Sequence, residues 1–251
     1  MSDVLLESVQ DGHWTLVLNR PEKRNALNAE LVEALIDAVQ RAQVSGAHSL
    51  TLRGEGKCFC AGFDFTGFDE SSEADLLWRF VRIEQLLEMV YASPMSTLAF
   101  AHGKNFGAGV DLLVSCQKRI ATEDSTFRMP GLKFGLVLGT RRLACRIGNE
   151  AARSIQEVAA TLQAKQALAV GLLTGIASMQ ELDQVVEQLR QSSTSLEPEV
   201  RSMLYQVVTD RDADRDLAQL VRSVMRPGLK QRIARYRAGE CTHEAVVIIR
   251  A

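Results

Sequence analysis

Residues 57–67, KCFCAGFDFTG, follow an apolar run at 49–53 (SLTLR) that reads as a buried strand, and they lead into a polar, charged segment instead of a helix. Ala61 and Gly62 carry almost no side chain, so another backbone or a ligand can approach their amides closely. Turns of small residues just past the end of a strand are where α/β folds commonly place ligands. Residues 97–116 (TLAFAHGKNFGAGVDLLVSC) repeat the device. A strand-like run at 97–101 precedes His102-Gly103 and Gly107-Ala108-Gly109, and a helix-like apolar run begins near Val110. Strand, small-residue loop and helix together aim free backbone N–H groups at a negatively charged or polarised oxygen. Phosphate is the commonest occupant of such a loop, but the Lys-Ser/Thr of a P-loop is missing and the spacing fails G-x-G-x-x-G. Two such loops can instead give one N–H each to a single carbonyl oxygen, which is an oxyanion hole. On the residues alone, an ordinary tight turn stays open for either loop.

A chain of 251 residues suffices for one large domain, or a domain with a small appendage. Apolar residues make up 46% and charged residues 24%, values usual for a globular protein, and the formal charge of −2 gives no general reason to expect nucleic acid or an anionic membrane as partner. The five cysteines, an odd number, argue against a disulfide framework. Cys58-x-Cys60 lacks zinc spacing and no second Cys/His pair follows at a suitable distance, so no metal is expected. Without a signal-peptide order or an apolar run long enough to span a bilayer, the expected location is the cytoplasm.

In chain order, residues 4–9 and 13–18 predict a hairpin turning at Asp11-Gly12, with His13 on its exposed face. Pro21 ends the second strand. Asn28 is a candidate N-cap for a helix over 28–42, whose apolar face is Leu31, Leu35, Ala38 and Val39. Residues 65–74 read as a mobile polar loop. Helical spacing over 74–91 puts Leu76, Phe80, Ile83 and Leu87 on a core face, with Trp78 packed and Arg79 at the surface. Residues 118–121 predict a strand, and 126–139, with three glycines and a proline, a loop. Further helices are predicted over 142–147, 149–161, 164–170, 179–191, 198–209 and 214–236, the last interrupted at Pro227-Gly228, and a strand over 244–249. Alternating strands and helices predict an α/β fold, spiral or doubly wound.

These motifs carry a family resemblance. LNRPEKRNALN at 18–28, FCAGFDF at 59–65, HGKNFGAGVDLLVSC at 102–116, ATEDSTFRMPGLKFG at 121–135 and TLQAKQALAVGLLTG at 161–175 stand in the order and spacing of the crotonase (enoyl-CoA hydratase/isomerase) superfamily, which the chain resembles over nearly its whole length. The resemblance implies a ββα superhelical spiral core over 1–190, a C-terminal helical trimerisation region over 191–251, and a homotrimer or dimer of trimers. It implies an acyl-CoA thioester as ligand in fatty acid metabolism, with no cofactor beyond the coenzyme A of the substrate. Position by position, it places the oxyanion N–H groups at Phe63 and Ala108. It puts contacts to coenzyme A at Lys23, Arg24, Ala26, Ala61, Gly62, Asp64, Phe65 and Gly107. The basic cluster Lys230, Arg232, Arg235 and Arg237 either is a solvated face or helps cover the coenzyme. Phe65, the Trp78 helix and the Phe134 loop are expected to wall the acyl pocket.

The chain departs from the family where protons move. Hydratases of this kind carry two glutamates suited to acid–base work. Here the first position is Asp111, one methylene shorter, and the second is Gly131. A third position, used for a carboxylate by some isomerases, falls at about Gly139 in a shortened loop. Asp111 is therefore the only motif-matched acid or base, with Lys133, Asp64, Asp69, Glu70 and His243 as conceivable substitutes. Backbone N–H groups survive these changes, so enolate stabilisation is retained. The expectation is a hydratase- or isomerase-type enzyme. The alternatives are a catalytically degenerate acyl-CoA-binding or assembly subunit, and an unrelated nucleotide-binding α/β protein.

Overall fold

A computed structural model describes residues 4–240. The strand expected at 244–249, and His243, lie outside the described residues. The hairpin forms from β1 (Leu5–Gln10) and β2 (His13–Leu18), paired antiparallel, with Asp11 and Gly12 both at positive φ in the turn. Asn28 caps α1 (Ala29–Val44) by accepting the Leu31 N–H at 2.9 Å, and the helix buries Leu31, Leu35, Ala38 and Val39. After β3 (Ser49–Gly54) the chain reaches α2 (Glu73–Tyr91), where Ser72 and Asp75 form a reciprocal capping box. Its core face includes Leu76, Phe80, Ile83 and Leu87.

Two turns of a spiral then follow from the same local pattern. β4 (Ser96–Ala101) runs through a glycine turn into β5 (Lys104–Phe106) and α3 (Ala108–Ser115). β6 (Lys118–Ala121) runs likewise into β7 (Thr126–Arg128), a 3-10 turn at Gly131–Phe134, and α4 (Thr140–Ile147). Beyond them come α5 (Asn149–Val158), β8 (Thr161–Gln163), α6 (Ala164–Ala169) and β9 (Gly175–Ile176). The first strand of each turn joins a six-stranded sheet of order β1-β2-β3-β4-β6-β9, parallel from β2 onward. The second joins a smaller sheet, β5-β7-β8, in which β5 and β7 are parallel. Successive turns stacking in parallel on two faces is what a ββα superhelix requires; a doubly wound sheet has no second sheet. The α/β spiral implied by the resemblance is therefore the fold observed.

The remaining helices are α7 (Leu182–Ser193), α8 (Pro198–Val208), α9 (Ala213–Val224) and α10 (Leu229–Arg237), with α9 lying along α2 and α10 against the 131–134 turn. The break between α9 and α10 falls at Pro227-Gly228, as the sequence indicates. No described helix is long and apolar enough to cross a membrane.

Several expectations are corrected. Trp78 is exposed on α2 while Arg79 is half-buried, because Arg79 covers the ring of Phe63 at 4.2 Å. The 65–74 segment is anchored, since Phe68 is buried beneath Phe65 and the Arg237 guanidinium. The helix from Asn149 stops at Val158 because Ala159 adopts φ 53°, and Thr161–Gln163 pairs with β7, itself a strand inside the expected 126–139 loop. His13 is half-buried, with its Nδ1 2.8 Å from Ser49 Oγ.

The two signature loops touch backbone to backbone. A Cβ on Gly62 would lie 2.4 Å from the Phe106 carbonyl oxygen, and one on Gly109 would lie 2.4 Å from that of Cys60. Gly109 sits inside α3 with ordinary helical backbone, where alanine would by propensity gain about 1 kcal/mol. The steric conflict reverses the sign: Gly109→Ala should destabilise the protein by roughly 1–3 kcal/mol, read as a fall in melting temperature. A rise would show that the loops do not hold one another.

Candidate active site

The contact between the loops opens on one side into a cleft of about 660 Å³, a size usual for a small-molecule site. Three segments far apart in sequence build its first side. The loop after β2 supplies Lys23, Arg24 and Ala26; the loop after β3 supplies Ala61, Phe63, Asp64 and Phe65; the start of α3 supplies Gly107, Ala108 and Asp111. Met129, Gly131, Phe134 and Leu136 continue the lining, together with Gln156 of α5. Arg237 of α10 stands at the rim with Lys23 and Arg24, all three exposed. Of the residues predicted for the site, all but Gly62 line this cleft; Gly62 is buried in the contact between the loops.

The first loop is tied down by polar groups. Asn25 is fully buried, and its Nδ2 donates to the carbonyls of Glu55 (2.8 Å) and Cys58 (2.9 Å) while its Oδ1 accepts the Arg20 N–H (2.9 Å). Cys60 Sγ donates to the Asn25 carbonyl at 3.1 Å and accepts from the Gly62 N–H at 3.4 Å. Burial pushes this thiol up to about 12, so it is a packing group with no nucleophilic character. Asp64 faces Arg20 at 2.8 Å and its Oδ1 accepts the Thr66 N–H. Burial would raise this carboxyl, but those hydrogen bonds and the Arg20 charge hold it below its ordinary value.

Phe63 is clamped between the Arg79 guanidinium and the ring of Phe80, 4.4 Å away, and Arg79 also donates to the Asp64 carbonyl. Ala108 is the first residue of α3, reached through Gly107 at φ 47°. Neither the Phe63 nor the Ala108 N–H has a partner among the described backbone hydrogen bonds. A Cβ on Gly62, the neighbour of Phe63, would stand 3.3 Å from the Ala108 nitrogen, which measures how closely the loops approach.

Asp111 is 5% exposed, and no hydrogen bond to its carboxyl exists among the described residues. Burial raises it well above the usual carboxylate range; the Glu84 carboxyl adds to the rise and Arg142 opposes it. Glu84 and Arg142 form a buried ion pair behind the cleft, extended by Glu88 and Asp216. Gly139 is empty for a steric reason: a Cβ there would fall 2.3 Å from Asp111 Oδ1, so Asp111 occupies that space.

The proposed substitutes for the missing glutamate do not gather here. Asp69 and Glu70 are exposed and, with Lys133, lie outside the cleft lining. Asp64 is committed to Arg20. Sequence reading missed Gln156, 5% exposed on the buried face of α5 beside Ala152 and Ile155, with no hydrogen-bond partner for its amide among the described residues. An amide on an otherwise apolar stripe was the available signal. The Arg142–Glu84 pair left no signal, since the two residues are 58 positions apart. Among the described residues no cluster of His, Cys, Asp and Glu could hold a metal ion.

Comparison with known proteins bears on the family and the fold. The sequence profile of the family described as Enoyl-CoA hydratase/isomerase matches residues 9–225. A solved structure from Bordetella parapertussis, assigned as an enoyl-CoA hydratase/isomerase, superposes with a TM-score of 0.93 at 47% identity, covering 94% of this chain and 99% of that one. "Probable enoyl-CoA hydratase echA6" of Mycobacterium tuberculosis is 36% identical over 168 residues, 66% of this chain and 67% of its own length. "Enoyl-CoA isomerase/hydratase fer4" of Mycosarcoma maydis is 33% identical over 179 residues, 66% of this chain and 65% of its own.

Because Asp111 is raised, the native protein holds a proton that the unfolded chain, with an ordinary carboxyl near about 4, releases. Asp111 therefore subtracts from stability as pH climbs from that range toward its raised value. Asp111→Asn should melt higher than the wild type by a margin that grows with pH over this interval, about 2–4 °C for each kcal/mol released. A margin independent of pH in calorimetric melts would show that the carboxyl is not raised.

Proposed function

The chain belongs to the enoyl-CoA hydratase/isomerase family, and we propose that it binds an acyl-CoA thioester and stabilises the enolate of its acyl group. The observation that carries this reading is the pair of unpartnered N–H groups, Phe63 and Ala108, brought to one cleft by loops in direct backbone contact. A thioester oxygen accepting from both gains most as negative charge develops on it, and the site needs no reorganisation to provide that. The exposed cations Lys23, Arg24 and Arg237 suit the phosphates of coenzyme A at the rim.

Asp111 is the proton carrier in this reading. A carboxyl raised well above its ordinary range is a stronger base when ionised and holds its proton more readily as an acid, which suits moving one proton to and from an enolate carbon. Hydration requires a second group to activate water, and Gly131 offers none. Proton transfer at carbon, as in isomerisation, fits better than efficient hydration. The empty side chain at Gly131 also favours a second reading, an acyl-CoA-binding subunit without turnover. A homotrimer or dimer of trimers fits the same picture, because α8 leaves Val200, Met203, Leu204 and Val207 exposed at helical spacing, a face that a second copy would cover.

The test is incubation with acyl- and enoyl-CoAs in heavy water, read by mass spectrometry. Deuterium uptake at carbon should fall roughly 10²–10⁴-fold in Asp111→Asn. It should also be lost in Ala108→Pro, which removes one N–H at the helix position where proline is best tolerated. Undiminished uptake in Ala108→Pro would sink the oxyanion assignment. Gain of one water mass would instead identify a hydratase with a second acid–base group, and binding without exchange would favour the non-catalytic reading.

A further inference from the structure

Gln156 has no task in this chemistry. Position 156 falls on the apolar stripe of α5, one turn beyond Ala152 and next to Ile155, where the helix pattern calls for an aliphatic side chain. The residue is nineteen-twentieths buried and its amide has no protein partner; it opens on the cleft, so an apolar ligand filling that space would leave it unpaired. It lines the cleft, and α5 packs on the 131–134 turn, so it belongs to the wall that carries Gly131. The side chains lining the cleft from residues 129–136 include the apolar Met129, Leu132, Phe134 and Leu136, with Tyr236 against Phe134 adding one hydroxyl. Building on the acyl-CoA reading, we infer that Gln156 selects the acyl group, its amide pairing with an uncharged oxygen substituent, a hydroxyl or oxo group, carried on the acyl chain.

Two features narrow the class. A plain hydrocarbon chain would leave both the donor and the acceptor of the amide unpaired. A carboxylate on the chain would want a cation, and the cations lining the cleft, Lys23, Arg24 and Arg237, all stand exposed at its rim. An amide, with one acceptor and two donors, satisfies a neutral hydroxyl in either direction.

Isothermal titration settles the matter with hexanoyl-CoA and its 3-, 4- and 5-hydroxy derivatives, using wild type, Gln156→Leu and Gln156→Met. At least one hydroxy derivative should bind the wild type about tenfold more tightly than hexanoyl-CoA, and the position preferred reports where the amide meets the chain. Both variants should lose that ratio while binding hexanoyl-CoA at least as well, and should melt no lower than the wild type. Equal binding of all four compounds by the wild type overturns the inference and leaves the acyl-CoA reading standing, as does a preference that persists in both variants. Failure of the wild type to bind any of the four overturns the acyl-CoA reading, and the inference with it.

Discussion

The site depends on one contact, the packing of two loop backbones without side chains between them. Gly62 lies against the Phe106 carbonyl and Gly109 against that of Cys60, each too close for a methyl group. This contact draws the amides of Phe63 and Ala108 to a common cleft, although they belong to different turns of the spiral. Polar anchors hold the first loop from behind: Asn25 across two carbonyls, the Cys60 thiol on the Asn25 carbonyl, and Arg20 against Asp64. The first two satisfy backbone carbonyls that burial would otherwise leave unpaired at a cost of about 1–3 kcal/mol, and the third pairs two largely buried charges.

Two polar side chains face the cleft beside this frame. Asp111 and Gln156 are both buried in the cleft wall, and neither side chain has a protein hydrogen-bond partner among the described residues. Both open on the cleft, where a ligand can meet them. The Glu84–Arg142 pair behind Asp111 adds a charge environment that a hydrocarbon core would lack, joined through Asp216 to α9. The C-terminal helices thus bear on the site from two directions, α9 through this ion pair and α10 through Arg237 over Phe65.

Much of the local structure was legible in the residues. Asn28 and Ser72 mark helix starts, Pro227-Gly228 marks a break, and the small residues at 61–62 and 107–109 mark loops of close approach, because each acts on the backbone within a few positions. The errors share a cause. Trp78 and Arg79 exchanged roles because a partner in another loop, Phe63, decided which faced inward. The helix from Asn149 ended early because β8 had β7 to pair with.

The sequence by itself determined an α/β fold and the two glycine loops, for which chain-local conformation suffices. The family resemblance of its motifs chose the spiral and marked the survival of Asp111 alongside the loss of side chains at Gly131 and Gly139. Only the tertiary structure decided that Asp111 is buried in the cleft wall and raised, that its carboxyl fills the space beside Gly139, and that Gln156 enters the same cleft. Burial and neighbouring charge are properties of what long-range packing brings together, and no spacing along the chain encodes them.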